Sequence, residues 1–448
     1  MFKAKTKDVS FLEGSIWDKL IFFALPLAAT SILQQLFNSA DMAVVGHFSG
    51  NGAFAAVGST AVIVTLMIEL FTGLSVGSNV IIARYIGSGN INRANDAMHT
   101  SVTLSVVVGI VLGVIGIIAA EPVLIIMKVP ADILSDAVTY LRIYSAGLPF
   151  LVLYNFCASI LRSRGNSTKP LYVLMFAGAV NVVLNVIFVA VLDMGVSGVA
   201  VATVISNAIS AYFLIHYLMH KDILLKLDLY KLKLEKDIVI DFAKIGIPSS
   251  LLGSVFSISN ICIQSSINSL GTDVISASAA ASAVEIYVQF FGNAFAQAAT
   301  TFISQNYGAK KYDRCKKIVR IALAESVLLT VILSIFIFTF GSTFLKIFTR
   351  SSVVIVLALS RMKYTLLFKF IQCVMDIMAG TLQGYGYTVV PAFVSVFGVC
   401  GIRLMWIFLV FPHYKTLDSI MFIYPVTQAI ASIGHTLCYF KFKRKHFR

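Results

Sequence analysis

Three short stretches of this chain carry polar side chains inside long apolar runs. In "LFNSADMAVVGHFSG", residues 36 to 50, one carboxylate, Asp41, follows Asn38. Gln34, Asn38 and Asp41 are spaced i, i+4, i+7, so on a helix they share one face. "NVVLN" sets Asn181 and Asn185 at i, i+4, and "TVISN" sets Thr203 and Asn207 at i, i+4. A carboxylate held away from water can take up and release a proton. One carboxylate, two amide oxygens and a hydroxyl also form an oxygen-rich cage suited to a hard cation such as Na⁺. The chemistry on offer is reversible binding of H⁺ or Na⁺ by Asp41, Asn181, Asn185 and Thr203. No paired His/carboxylate or Ser/His arrangement accompanies it, so an intramembrane enzyme is not expected.

The elements that must hold these groups are membrane spans. The chain has 448 residues, 58% hydrophobic and 12% charged, with a mean hydropathy of +0.88. Stretches such as "SVVVGIVLGVIGIIAA" are apolar on all sides, which a bilayer accommodates and a water-soluble domain does not. Apolar runs place twelve spans near 16–46, 53–82, 95–120, 133–161, 169–192, 195–219, 241–268, 275–303, 317–343, 354–382, 388–411 and 418–440. Pro26 is expected to bend the first. The polar start, "MFKAKTKDVSFLEGSIWDK", does not read as a cleaved signal.

The net charge of +14 does not point to nucleic acid, because the bases crowd into alternate loops. They gather at Lys3, Lys5 and Lys7, at Arg84 and Arg93, at Arg162, Arg164 and Lys169, from Lys221 to Lys236, from Lys310 to Lys317, and in "KFKRKHFR". By the positive-inside rule these loops share the cytoplasmic side, and so do both termini. Lys346, Arg350, Arg361 and Lys363 depart from the rule. The six cysteines have no CxxC spacing and read as core residues. His216 and His220, i and i+4, read as interfacial residues rather than metal ligands.

The chain repeats itself. "ALPLAATSI" (24–32) parallels "GIPSSLLGS" (246–254), "ARYIGSGN" (83–90) parallels "SQNYGAKK" (304–311), and "LRSRGNSTKP" (161–170) parallels "LQGYGYTVVP" (382–391). Pro26 and Pro248 are 222 apart; the pairs Gly87/Gly308, Gly165/Gly386 and Pro170/Pro391 are 221 apart. Each half holds an even number of spans, so the halves enter the membrane in the same sense. The expected architecture is an all-α polytopic protein with twelve transmembrane helices in two six-helix bundles, related by a pseudo-two-fold axis along the membrane normal. Residues 1–218 form the first bundle, 219–240 a cytoplasmic linker and 241–448 the second bundle.

Counting along the spans sets Asp41, Asn185 and Thr203 at one depth. Asp41 lies eight residues before Ser49, Asn185 eight before Asp193, and Thr203 eight after Gly195. At ~1.5 Å per residue each is ~12 Å below the outer surface. Polar groups at that depth face a cavity or each other. The second-half equivalents of Asp41, Asn181 and Asn185 are Ile263, Ile402 and Trp406. Helix–helix glue should often survive duplication; a one-sided cluster reads as a site. Gln34, Asn38, Asn155, Asn207, Asp376 and Arg403 are further candidate cavity residues. Asp376 and Arg403, on neighbouring spans, are expected to form an ion pair. Glu69 and Glu285 are single acids in spans 2 and 8.

Taken together, "LPLAATSILQQLFNSADMAVVGHFS", "RYIGSGN", "LRSRGNSTKP", "NVVLN", "GVSGVAVAT", "SQNYGAKK" and "LQGYGYTVVP" give the chain, over essentially its whole length, a resemblance to the multidrug and toxic compound extrusion (MATE) transporters, closest to the DinF-like branch. The resemblance implies alternating access and export of organic, often cationic, compounds in exchange for H⁺ or Na⁺. It implies a coupling role for Asp41 and a cation site on Asp41, Asn181, residue 185 and Thr203. The better-described motif ends in Asp where this chain has Asn185. The NorM-like branch uses second-half acids, yet Phe256 lies near its helix-7 Glu and Gln372 where its Asp would be, four residues before Asp376.

The Gly-rich turns lack a Walker lysine and a strand–turn–helix context, so ATP is not the expected energy source. No cofactor is expected. The partners are the lipid bilayer and small organic substrates, and the chain is read as a monomer in the cell (inner) membrane. A lipid-linked oligosaccharide or polysaccharide flippase of the same broader superfamily is the alternative. A channel would need pore-lining rings from an oligomer, which the internal repeat argues against.

Overall fold

A computed structural model describes residues 11–222 and 224–446; Lys3, Lys5, Lys7 and Arg448 lie outside them. Among the described residues there is no β-strand. The helices are α1 Trp17–Phe48, α2 Gly50–Gly87, α3 Ile91–Ile126, α4 Ala131–Ala146, α5 Leu148–Ser163, α6 Thr168–Asn185, α7 Gly195–His220, α8 Lys236–Asn268, α9 Thr272–Gly308, α10 Tyr312–Thr339, α11 Gly341–Leu345, α12 Ser352–Thr365, α13 Lys369–Gly384, α14 Val389–Ser395, α15 Ile402–Leu409 and α16 Leu417–His446. Two π-helical segments, Val186–Val191 and Val396–Gly401, continue α6 and join α14 to α15.

Ten of these stretches are long and apolar enough to cross a membrane, and an eleventh is α4 with α5, bent by 45°. The expected span 133–161 is thus broken, at Gly147. The expected span 354–382 is likewise two helices, α12 and α13. α9 packs on both α12 and α13 as α2 packs on α4 and α5. That pair completes twelve spans, six in each half. The first-half helices present apolar surface outward, as in the row Ile110, Val114 and Ile118 of α3, each at least half exposed. That is the composition of a helix solvated by lipid.

The chain packs as two compact units, Ala29–Ser250 and Phe11–Ala28 with the chain from Leu251 onward. The division expected at 1–218, 219–240 and 241–448 follows the sequence repeat; the packing cuts elsewhere. Each changeover lies two residues beyond a proline inside a helix, Pro26 of α1 and Pro248 of α8. In the first unit Gly73 and Gly77 let the start of α8 approach closely: a Cβ on them would lie 2.2 Å from Ser250 N and 2.4 Å from Phe242 O. In the second unit Phe11 stacks on Phe302 at 3.7 Å between centroids. The Phe11 carbonyl accepts from Asn306 Nδ2 at 3.1 Å and Arg314 Nε at 2.9 Å.

The repeat extends to backbone conformation. Gly89 has φ 75° and its equivalent Lys310 has φ 58°; Gly165 has φ 96° and Gly386 has φ 76°. The Gly-rich stretches are helix-ending turns, with Asn90 then capping α3 by accepting from Arg93 N at 3.1 Å. Between α7 and α8 the linker lies on the first unit. Asp222 forms a fully buried ion pair with Arg164, Arg93 pairs with Glu235 and Asp237, and His99 Nε2 accepts from the Asp228 amide at 3.1 Å. Lys233 bonds Glu235 and Asp96, and these hydrogen bonds hold its ammonium above the usual lysine range.

Candidate functional site

α1, α6 and α7 bring the three polar stripes to one point in the first unit. Asn185 Nδ2 donates to Asp41 Oδ1 at 2.5 Å and to Asn181 Oδ1 at 3.2 Å. Thr203 Oγ1 lies 3.3 Å from Asp41 Oδ2 and 3.0 Å from its own helix's Val199 carbonyl, so its single proton serves one acceptor at a time. Asn185 is fully buried, Asn181 is 5% exposed, and Asp41 and Thr203 are half-buried. Three helices thus converge on one carboxylate, and the residues that counting along the spans sets level are in contact.

Local features explain why α1 reaches α6. Gly178 lies on α6 against the Phe37 ring of α1; a Cβ there would sit 1.9 Å from the ring. Asn181 and Asp41 are the next residues along by one turn on each helix. The π segment begins immediately after Asn185, and such single-turn bulges concentrate at functional sites. Asp193, with φ 51°, and Gly195, with φ 56°, turn the chain back into α7 and bring Thr203 to Asp41.

Among the described residues the other first-half candidates make no hydrogen bond to Asp41. Gln34, Asn38 and Asn207 make no hydrogen bond to the cluster, and Asn155 donates along its own helix to the Leu151 carbonyl at 2.9 Å. Sequence reasoning missed Tyr140 and Tyr144, buried on α4 with rings stacked at 6.1 Å and both within electrostatic reach of Asp41. Their signal was present: two tyrosines at i, i+4 on one face of an apolar stretch.

In the second unit the expected Asp376–Arg403 ion pair does not form. Arg403 Nε donates to Thr427 Oγ1 at 3.1 Å, and the guanidinium lies 4.2 Å from the Tyr424 ring centroid. Sequence neighbours on adjacent spans need not share a face, and here Arg403 turns to α16. The carboxylate that is paired is Glu285, which takes Arg361 at 3.4 Å and Thr365. Arg361 departs from the positive-inside rule because it is buried in this unit rather than set in a loop; it is 9% exposed.

The comparisons place the chain as a whole. The MatE family model matches residues 26–187 and 248–409, two segments 222 residues apart, within one residue of the spacing of the internal repeat. A Bacillus subtilis (strain 168) protein named "Probable multidrug resistance protein YoeA" is 27% identical over 413 residues, spanning 91% of this chain and 89% of its own. Thermotoga maritima "Probable multidrug resistance protein NorM" is 26% identical over 411 residues, 89% of this chain and 86% of its own. Among solved structures, a MOP superfamily transporter from Pyrococcus furiosus shares the fold with a TM-score of 0.90 at 23% identity, covering 98% of both chains. The two matched segments hold five of the six spans in each half as well as Asp41, Asn181 and Asn185, and the chain therefore belongs to the MatE family, transporters rather than enzymes.

Proposed function

We propose that this protein is an antiporter that exports organic, cationic drugs or toxic compounds by alternating access, driven by H⁺ or Na⁺ exchanged at Asp41. The observation that carries this reading is the contact of one intramembrane carboxylate with donors from two other helices. Asp41 has no basic partner among the described residues, so its ionic state must be met by Asn185, Thr203 and a bound ion.

The contact has a polarity that ion exchange reverses. In the arrangement described, Asn185 donates through Nδ2 to the carboxylate, while its Oδ1 is buried with no hydrogen-bond partner. A proton on Asp41 Oδ1, or a cation beside it, needs an acceptor there instead. Rotating the Asn185 amide supplies Oδ1 and turns Nδ2 away. Thr203 makes the matching exchange, handing its proton to the Val199 carbonyl and offering a lone pair. Loading and unloading the ion thereby changes the links among α1, α6 and α7. This reading also sets both termini on the cytoplasmic side of the cell membrane.

The test is transport by Asp41→Asn in vesicles under imposed H⁺ and Na⁺ gradients, with an organic cation dye as cargo. The substituted amide still offers Oδ1 to Asn185 and donates to Thr203, whose proton moves to Val199, so the variant is expected to fold. Gradient-driven accumulation should fall to the level seen with no gradient. Accumulation equal to that of the unsubstituted protein by a folded variant refutes the assignment.

A further inference from the structure

The chain between α7 and α8 forms a strap that grips the first unit by its inner side and exposes its outer side. Residues 224–235 lie along one face of α3. Arg93 takes Glu235, Asp96 takes Lys233, His99 accepts from the Asp228 amide, and Thr100 Oγ1 accepts from the Glu235 amide at 3.4 Å. Leu225 and Leu227 are buried in the core of that unit, and the Leu227 amide donates to the Leu218 carbonyl of α7 at 3.0 Å. Arg93, Asp96, His99 and Thr100 are spaced i, i+3, i+6, i+7, a single helical face about 10 Å long. The strap therefore runs beside the first turns of α3, not beneath its end. His99 and Thr100 already belong to the stretch 95–120 that hydropathy assigns to the membrane. α3 is buried from Ala97 to Val102, and its outward apolar surface begins just beyond, at Val106 and Val107.

The outer side of the strap is apolar. Leu224, Leu229, Tyr230, Leu232 and Leu234 are all exposed, from 37% for Leu232 to the whole of Tyr230. Asp228 accepts from the Tyr230 amide at 3.1 Å and so starts the 3₁₀ turn that carries Leu229 and Tyr230. A run of large apolar side chains left in water is unfavourable and marks a surface that meets something apolar. The turns expected on the same side, 88–90, 164–167 and 309–311, carry no large apolar side chain. Lysines interleave with the apolar residues of the strap. Lys231 and Lys233 pair with acids, while Lys226 and Lys236 are exposed and make no ion pair among the described residues. Apolar bodies alternating with ammonium groups fit the boundary between headgroups and acyl chains, where tyrosine also concentrates.

We propose that the outer side of this strap docks on the membrane surface, with Leu229, Tyr230, Leu232 and Leu234 entering the headgroup layer and Lys226 and Lys236 taking the phosphates of anionic phospholipids. Position along α3 and charge both select lipid over a water-borne protein. Docked in this way, the segment that joins the two repeats ties the end of α7 and the start of α8 to one leaflet. The inference rests on the spans lying in a bilayer, and not on which cargo or ion the protein carries.

Tyr230→Trp reports the docking directly, since a fully exposed side chain tolerates the exchange. The full-length variant is placed in vesicles of phosphatidylcholine with increasing phosphatidylglycerol. The new indole is read as the difference from the unsubstituted protein, which carries Trp17 and Trp406. Lipids brominated at the headgroup end of the acyl chains quench a docked indole, and aqueous acrylamide quenches an undocked one. The added emission should be quenched by the brominated lipids and shielded from acrylamide, and Leu232→Ser with Leu234→Ser should remove the shielding. Brominated phosphatidylglycerol should quench at lower mole fraction than brominated phosphatidylcholine. Lys226→Gln and Lys236→Gln, both at exposed positions, should each cut that preference about fivefold, the effect of one lysine near an anionic membrane surface; Arg at either position should keep it. Acrylamide quenching as strong as that of free N-acetyltryptophanamide, with no quenching by brominated lipid, overturns the proposal. Equal quenching by the two brominated lipids, or a preference unchanged in both lysine variants, overturns the assignment to anionic phosphates. Shielding that grows with protein density in the vesicle, without quenching by brominated lipid, assigns the strap to a second copy of the chain and overturns it as well.

Discussion

Asn185→Asp is the substitution that most sharply interrogates the first-half site. It replaces the amide that lies 2.5 Å from Asp41 Oδ1 with a second carboxylate of nearly the same shape. Asn181 can turn its own amide to donate to the new oxygen, so the buried partner is not orphaned. The two carboxylates are then forced together. Even if the pair relaxes to about 4 Å, two unit charges repel by about 4 kcal/mol at an effective dielectric constant of about 20. That is about a thousandfold bias toward any state holding a cation or a shared proton between the oxygens. Na⁺ should therefore stabilise the variant far more than the unsubstituted protein, by several degrees of melting temperature for a few kcal/mol of linkage. The assay is thermal unfolding in detergent across a NaCl series, with choline chloride holding ionic strength constant, and vesicle transport over the same series. A stable Asn185→Asp protein whose melting temperature and transport respond to Na⁺ no more than the parent would remove Asn185 from the ion site and leave it as a helix bridge.

Gly178→Val tests how the site is held rather than what it binds. With a Cβ already 1.9 Å from the Phe37 ring, the larger side chain should cost about 1–3 kcal/mol by overpacking and push α1 off α6; calorimetric melting reads the loss, and Phe37→Ala in the same chain should recover part of it. A reporter fused after Arg448 should be active on the cytoplasmic side only, since the basic loops alternate and the spans are even in number; activity only outside the cell would refute the twelve-span topology.

The first-half cluster was legible in the sequence because two periodicities reinforce each other. Helical spacing put Asn181 and Asn185 on one face, and counting from three span ends put Asp41, Asn185 and Thr203 at one depth. Neither step requires knowing how helices pack. The second-half cluster needed that knowledge. Arg361 reads as a misplaced loop charge until α12 is seen against α9, where Glu285 meets it. Arg403 and Asp376 looked paired because their spans are neighbours, but rotation about the helix axis decides contact, and hydropathy carries no information on rotation. Tyr140 and Tyr144 were hidden for a related reason: tyrosine is common near span ends, so nothing in its type alone marks it as the neighbour of a carboxylate. The break at Gly147 was invisible because α4 and α5 join without a polar loop.

The two π segments make the halves differ in rotational phase as well as in residue type. At the 221-residue spacing of the repeat, the second-half segment that starts at Val396 corresponds to residue 175, whereas the first-half segment starts at Val186. One extra residue has thus been inserted about three turns earlier in one half than in the other. Between the two positions, corresponding side chains are turned by about 100° around their helix axes, one residue's worth of α-helical rotation. Asn181 and Asn185 fall in that window. Grafting asparagines at Ile402 and Trp406 would aim them along a different bearing, so the duplicated half could not rebuild the site by regaining its side chains alone. The gene repeat is intact at the level of the chain, while its geometry has become a vernier, and only one of the two scales reads onto a carboxylate.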